Sequence, residues 1–191
     1  SKDSCEQFDR IPLFARIRSY GRGEELMGAV IEYKYPDYDF YNRRLLELIA
    51  NTAGDNIAEP NRERGENCHI TENWDPIFLY DHQEVGDFVN WLEETTEKKV
   101  INIWGVLYYD NGGIKWHSHH SAKDVTHSFV YYVNVPPNSS SIFFSRDPSN
   151  GSSAVSIDPQ AGHCLVWESD LPHCVPPSNH SGRCVISGNL K

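Results

Sequence analysis

The sequence predicts an α+β chain: a double-stranded β-helix, or jelly roll, supported by N-terminal helices. Three observations predict it. The texture changes after Val100, from amphipathic helical segments to short β-rich runs. Those runs are separated at even spacing by polar turn signals, "DNGG", "VPPNSS", "DPSNGSS", "DPQAG" and "VPPSNHSG", as in a sandwich or jelly roll. Helices come first and strands later, which argues for a covered sheet rather than a parallel βαβ fold. The 191 residues suit one domain. Residues 1–99 form the supporting region and residues 100–191 the jelly-roll core.

Each element follows from local pattern. "PLFARIRSY" and "GAVIEYKYP" read as strands, being rich in β-branched and aromatic residues between Gly and Pro. "YDFYNRRLLELIANTAG" reads as a helix whose apolar positions are Phe40, Leu45, Leu48 and Ile49, with Gly54 as its stop. Residues 54–76 are polar, and "NRERGEN" reads as a loop. "HQEVGDFVNWLEETTEKK" reads as a second helix with Val85, Phe88, Val89 and Leu92 on one face. Lys98 and Lys99 lie at its C-terminal end, where the helix dipole favours cations. The later strands are "VINIWGVLYY", "SFVYYVNV", "SIFFS", "HCLVWES" and "RCVISGNL".

Composition excludes some functions. A net charge of −10 disfavours a nucleic-acid partner, because phosphate binding needs clustered Lys and Arg. No apolar run approaches membrane-spanning length, so no membrane partner is expected. The chain starts at Ser1 without a methionine, as a trimmed or mature form would, so the lack of a signal segment carries no weight. The five cysteines, Cys5, Cys68, Cys164, Cys174 and Cys184, form no close pair, and reduced thiols are expected. Cytoplasm is the default compartment. The N-x-S triplets at Asn138, Asn150 and Asn179 keep a secreted glycoprotein open. Oligomeric state is not legible.

The chemistry concentrates in "IKWHSHHS". On a strand, residues i and i+2 share a face. His117 and His119 are such a pair, and His120 points away. A third ligand must come from elsewhere, and His173 in "LPHCVPP" follows a late strand. In a jelly roll, strand ends far apart in sequence face one another across the sheets. Two near imidazoles and one distant one therefore make a natural metal site for oxygen chemistry. Asp124 is a reserve carboxylate, at the wrong spacing for the same strand face. His69, His82, His127, His163 and His180 have no partner in the pattern.

Arg183 opens "RCVISGN", four residues before Ser187, so both project from one strand face. An arginine beside a hydroxyl can hold a carboxylate through a two-pronged ion pair and one hydrogen bond.

At residues 100–190 the motifs resemble a family. "NIWGVLYYDNGGIKWHSHH", "SFVYYVNVPPNSSSIFF", "IDPQAGHCLVWESDLPHCVPP" and "RCVISGN" are similar, in order and spacing, to the core of the iron(II)/2-oxoglutarate-dependent oxygenases, prolyl-hydroxylase-like branch. The resemblance implies Fe(II) as cofactor and 2-oxoglutarate and O2 as co-substrates. It implies hydroxylation of a peptide, a prolyl residue or a small molecule, with release of succinate and CO2. It matches His117 and His173 to iron ligands, and Arg183, Ser187 and Tyr132 to groups around the far carboxylate of 2-oxoglutarate. His119 stands where the family usually has Asp or Glu. An all-histidine site carries one more positive charge, which alters metal affinity and potential. Two alternatives stay open: a three-histidine cupin-like dioxygenase without 2-oxoglutarate, and a non-catalytic metal- or ligand-binding β domain.

Overall fold

The structure is a computed structural model that describes residues 30–55, 65–119, 124–149, 154–179 and 181–191. The strand expected in "PLFARIRSY", Cys5, His120, Asn150 and His180 lie outside the described residues. Among the described residues, nine strands and three helices run, in chain order, β1 Ile31–Lys34, α1 Tyr38–Asp55, β2 Gly65–Ile70, α2 Pro76–Asp81, α3 Gln83–Thr96, β3 Val100–His117, β4 His127–Asn134, β5 Ile142–Phe144, β6 Val155–Ile157, β7 His163–Glu168, β8 His173–Ser178 and β9 Cys184–Leu190.

The strands pair antiparallel in the order β1-β7-β4-β9-β3-β8-β5-β6, with β2 beside β3. The order follows from one long strand. The first half of β3 pairs with β9, from Val100 opposite Leu190 to Leu107 opposite Cys184. Its second half pairs with β8, from Gly112 opposite Ser178 to His117 opposite His173. β3 thus leaves one layer of the jelly roll and enters the other, and the sheet curls into a half-barrel.

"DNGG" is therefore not a turn but the bend of this strand. Asn111 takes a left-handed φ of 59°, and the β3–β8 register shifts between Gly112 and Ile114. The glycines are required by close approach: a Cβ on Gly113 would lie 2.9 Å from the Pro177 nitrogen, and one on Gly112 would lie 2.7 Å from the Asn67 carbonyl. The polar stretch 54–76 likewise contains β2, whose Cys68, His69 and Ile70 pair with Tyr108, Leu107 and Val106.

Alternation along the strands builds two cores. Outward from β4, β7 and β9, Phe129, Tyr131, Cys164, Val166 and Ile186 meet Leu45, Ile49, Phe88 and Leu92 of the helices. Inward, Val130, Tyr132, Leu165, Trp167 and Val185 meet Phe144, Val175 and Leu171 inside the roll. Val85, Phe88, Val89 and Leu92 are buried, as the sequence predicts for α3. Phe40 is not: it is 59 % exposed and lies against Arg44 and Tyr41. At about 100° per residue it sits far around the helix from Leu45, Leu48 and Ile49. Asn42 fastens α1 to the sheet, donating to the Val133 carbonyl at 2.7 Å and accepting from the Tyr131 hydroxyl.

Among the described residues no helix is long and apolar enough to cross a membrane. The four described cysteines are buried free thiols.

Candidate metal centre

His117 ends β3 and His173 begins β8, and the ladder sets them directly opposite one another. Their ring centroids are 4.2 Å apart. His119 lies two residues beyond the strand. Its backbone N–H donates to the Ser169 carbonyl at 2.8 Å, which carries the strand's direction past its end. Its ring lies 5.2 Å from His117 and 5.5 Å from His173, and is stacked at 10° to Trp104. One ring nitrogen from each of the three histidines falls within 4.8 Å of the others, so the group could hold a metal ion.

Local hydrogen bonds choose the tautomers of two of these rings. His117 Nδ1 is 2.8 Å from the Lys115 carbonyl, and His173 Nδ1 is 3.1 Å from the Leu171 carbonyl. A carbonyl only accepts, so each Nδ1 carries the proton and each Nε2 keeps its lone pair for a metal. Burial pushes the His173 pKa down to about 3, with His117 and His119 acting in the same direction and the Leu171 carbonyl opposing. Trp167 packs edge-on against its ring at 4.8 Å, with Phe144 beyond at 6.1 Å. A ring held neutral suits a ligand, since imidazolium has no free lone pair. Three imidazoles suit divalent iron, copper, nickel or zinc.

The histidines line a cavity of about 800 Å³, and Arg183 lines it too. Arg183 precedes β9 on the inward face, and its backbone still pairs with Tyr108, whose N–H donates to its carbonyl at 2.8 Å. It is 1 % exposed and the largest fully buried side chain among the described residues. Nη1 donates to the Ser140 carbonyl at 2.6 Å, and the guanidinium lies 5.0 Å from the Tyr108 ring and 5.5 Å from the Tyr132 ring. Among the described residues Nε has no hydrogen-bond partner, nor does the buried Tyr132 hydroxyl. No ion pair to Arg183 is found among the described residues. A buried guanidinium without an anion is costly, and it is the feature expected where an anionic ligand completes the site. Both flanking tyrosines are pushed up by burial, Tyr108 to about 12, with Arg183 opposing in each case. Their hydroxyls therefore stay protonated and able to donate.

Ser187 faces the same cavity four residues along β9, half-buried, opposite Trp104 on one side and Val130 on the other. Asp124 is not brought in: it sits on the surface, 3.9 Å from Lys191. The remaining described histidines stay apart from the triad. His163 pairs with Glu32 at 2.8 Å, a partner the sequence pattern does not announce. His127 bonds Thr126 Oγ1, His82 packs on Phe78, and burial lowers the His69 pKa.

Among the polar residues of the cavity wall that sequence reasoning missed are Asn102 on β3, Ser128 on β4 and Asn189 on β9. Ser128 Oγ donates to Asn189 Oδ1 at 2.8 Å, and Asn189 Nδ2 donates to Asn102 Oδ1 at 2.7 Å. The available signal was a polar residue on the inward register of otherwise apolar strands.

The sequence matches no family model and no curated protein. Solved structures do resemble it. A prolyl-4-hydroxylase from Pseudomonas putida superposes with a TM-score of 0.65 at 14 % identity, over 86 % of this chain and 93 % of that one. This chain has the prolyl-hydroxylase-like fold of the 2OG-Fe(II) oxygenases. The viral collagen prolyl hydroxylase of Paramecium bursaria Chlorella virus-1, solved as a 2OG complex, gives a TM-score of 0.60 at 9 % identity, over 84 % and 94 %. A Trichoplax adhaerens prolyl hydroxylase, solved with a hypoxia-inducible-factor peptide, gives 0.60 at 14 % identity, over 84 % and 82 %. The shared fold accounts for the curled half-barrel of antiparallel strands.

Proposed function

We propose that this protein is an iron(II)- and 2-oxoglutarate-dependent dioxygenase that hydroxylates a peptide residue, prolyl foremost, or a small molecule, with release of succinate and CO2. The observation that carries this reading is one cavity lined both by three converging imidazoles and by a buried arginine without an anion. His117, His119 and His173 would hold Fe(II). When bound, the iron and 2-oxoglutarate together supply the oxidising power that activates O2 toward a C–H bond.

The protein's own residues supply position and exclusion of water. Arg183 would take the far carboxylate of 2-oxoglutarate as a charge-assisted pair, with the Tyr132 hydroxyl donating beside it and Ser187 further along the strand. Val106, Val130, Ile142 and Val175 keep the cavity wall dry between the charged groups, which strengthens each interaction made there. Trp104 holds the His119 ring by stacking, and the Lys115 and Leu171 carbonyls hold the other two rings. The prolyl and peptide elements draw support from the resembling structures.

His119 in place of a carboxylate favours a second reading, a three-histidine dioxygenase that uses no 2-oxoglutarate. Anaerobic titration separates the two. Metal-free protein is loaded with Fe(II), and 2-oxoglutarate is then added. The proposed function requires the weak visible charge-transfer band of a chelated complex, and succinate once air is admitted. Iron retention with neither band nor succinate selects the second reading. Failure to retain iron removes both and leaves a binding domain.

A further inference from the structure

The inward register of β9 runs Arg183, Val185, Ser187, Asn189, so the cavity has two ends about 20 Å apart along the strand. Arg183 marks one. The Ser128–Asn189–Asn102 chain marks the other, with Trp104 and its stacked His119 between them in the β3 register. The segment after β2 closes over the second end. Thr71 N–H donates to the Gly105 carbonyl and Trp74 N–H to the Ile103 carbonyl, which brings Glu72 and Asn73 to the rim.

Ser128 and Asn189 are 1 % and 4 % exposed, on the inward faces of β4 and β9. Polar groups in such a place cost free energy unless they are bonded, and these are bonded to one another in a directed chain. The Ser128 hydroxyl donates to Asn189 Oδ1, which turns Asn189 Nδ2 toward Asn102 Oδ1. Asn102 lines the cavity, and with its Oδ1 engaged by Asn189 the group it has left to offer is its Nδ2. Asn102 is half-buried. Among the described residues that line the cavity, Glu72 brings the one charged group at this end, since Arg183 belongs to the other.

We propose that Asn102 reads a carbonyl oxygen of the substrate, and that the substrate is a neutral or cationic amide of the kind a peptide backbone offers. The proposal rests on the reading that the Arg183 end takes 2-oxoglutarate and leaves the Asn102 end to the substrate. Asn102 donates, Asn189 and Ser128 fix the polarity of that donor, and Glu72 at the rim disfavours anions. A network that served only to staple β4, β9 and β3 would give Asn102 no response to a carbonyl.

The test is a titration of the ¹⁵N-labelled full chain with N-methylacetamide, followed by nuclear magnetic resonance. Asn102→Asp removes the Asn102 side-chain amide signals and so identifies them. If that variant fails to fold, Asn102→Gln moves them instead. The expected result is a saturable shift of the Asn102 Nδ2 proton pair. N-ethylmethylamine, which has the same skeleton without the carbonyl, should leave the pair in place. A pair unmoved at the highest amide concentration, or moved equally by both probes, overturns the proposal. Binding of 2-oxoglutarate to the Mn(II)-loaded protein is measured separately. A protein that responds to the amide but binds no 2-oxoglutarate loses the oxygenase reading and keeps its carbonyl reader. One that binds 2-oxoglutarate with no response at Asn102 does the reverse.

Discussion

His117 and His173 are cross-strand partners, 56 residues apart in sequence and directly opposite in the β3–β8 ladder, with ring centroids 4.2 Å apart. Backbone hydrogen bonds, not loop conformation, set the spacing of this pair. The two rings are therefore pre-positioned, and a metal need not gather them.

Removing either ring should show in metal content. His117→Ala and His173→Ala should each weaken divalent-metal affinity by more than about 100-fold, beyond what loss of an outer-shell partner produces. Succinate formation should fall to background. Equilibrium dialysis followed by elemental analysis reads the first effect. Full iron occupancy in either variant would remove that histidine from the ligand set.

His119 is the position where the family resemblance expects a carboxylate. His119→Asp should retain Fe(II) and part of the succinate yield, because a carboxylate on the same side of the strand end can also donate to a divalent metal. His119→Ala should retain less iron and lose most turnover. Equal iron and equal succinate in the two variants would show that His119 lines the cavity without binding metal.

Arg183 sets up a trade between folding and binding. Its guanidinium is buried with no ion-pair partner among the described residues, which costs stability in the free protein. Arg183→Met should therefore leave the melting temperature of the free protein unchanged or raise it. It should weaken 2-oxoglutarate binding by about 100-fold or more, the loss expected when a buried charge-assisted pair is broken. Tyr132→Phe should weaken binding less, by about tenfold, since one neutral hydrogen bond is lost. Calorimetry and a binding isotherm on the same samples decide it. A variant that loses stability and keeps 2-oxoglutarate affinity would make Arg183 a structural residue.

The metal-free protein should lose stability in acid below about pH 6.5. His173 has a folded pKa of about 3, against 6.5 when unperturbed. Between those values the unfolded chain binds a proton that the folded chain does not. Stability from this group is thus fully present above 6.5 and falls as pH drops, by at most about 1.4 kcal/mol per pH unit. His69 and His127 are shifted in the same direction. Urea midpoints between pH 7 and pH 5 should decline, and His173→Asn should flatten the decline. An unchanged slope in that variant would show that the imidazole is not held neutral.

Much of this was legible in the sequence, and what was not has physical causes. Short β-branched and aromatic runs between polar turns give the jelly roll, and β4, β7 and β9 read as near-continuous apolar runs because they are covered on both faces. The histidine grouping was legible because i and i+2 share a face and a late strand end can oppose an early one. The bend of β3 was read as a turn because Asn111, Gly112 and Gly113 are turn residues. Here they serve close approach to Pro177 and Asn67 instead. β2 was hidden because its polar residues lie on a lightly covered edge. Phe40 was misplaced because the apolar count in α1 ignored its angle around the helix. That Arg183 and Ser187 share a face could be read from spacing. The complete burial of Arg183 depends on Tyr108 and Tyr132 closing over it, and no local pattern carries that.

The passage of β3 between two layers makes residue parity a constraint on the protein. Asn102 and Trp104 face the cavity from the first half of the strand, and His117 reaches it from the second. No loop lies between them to absorb a change of length; besides a register shift between Ile114 and His117 there is the bend at Asn111–Gly113. One residue added or deleted there turns every later side chain to the opposite face. His117 would then point away from His173, although every original residue was still present. A change of two residues restores the facing and alters only the reach. Length variation at this bend is thus compatible with the site in even steps and incompatible in odd ones.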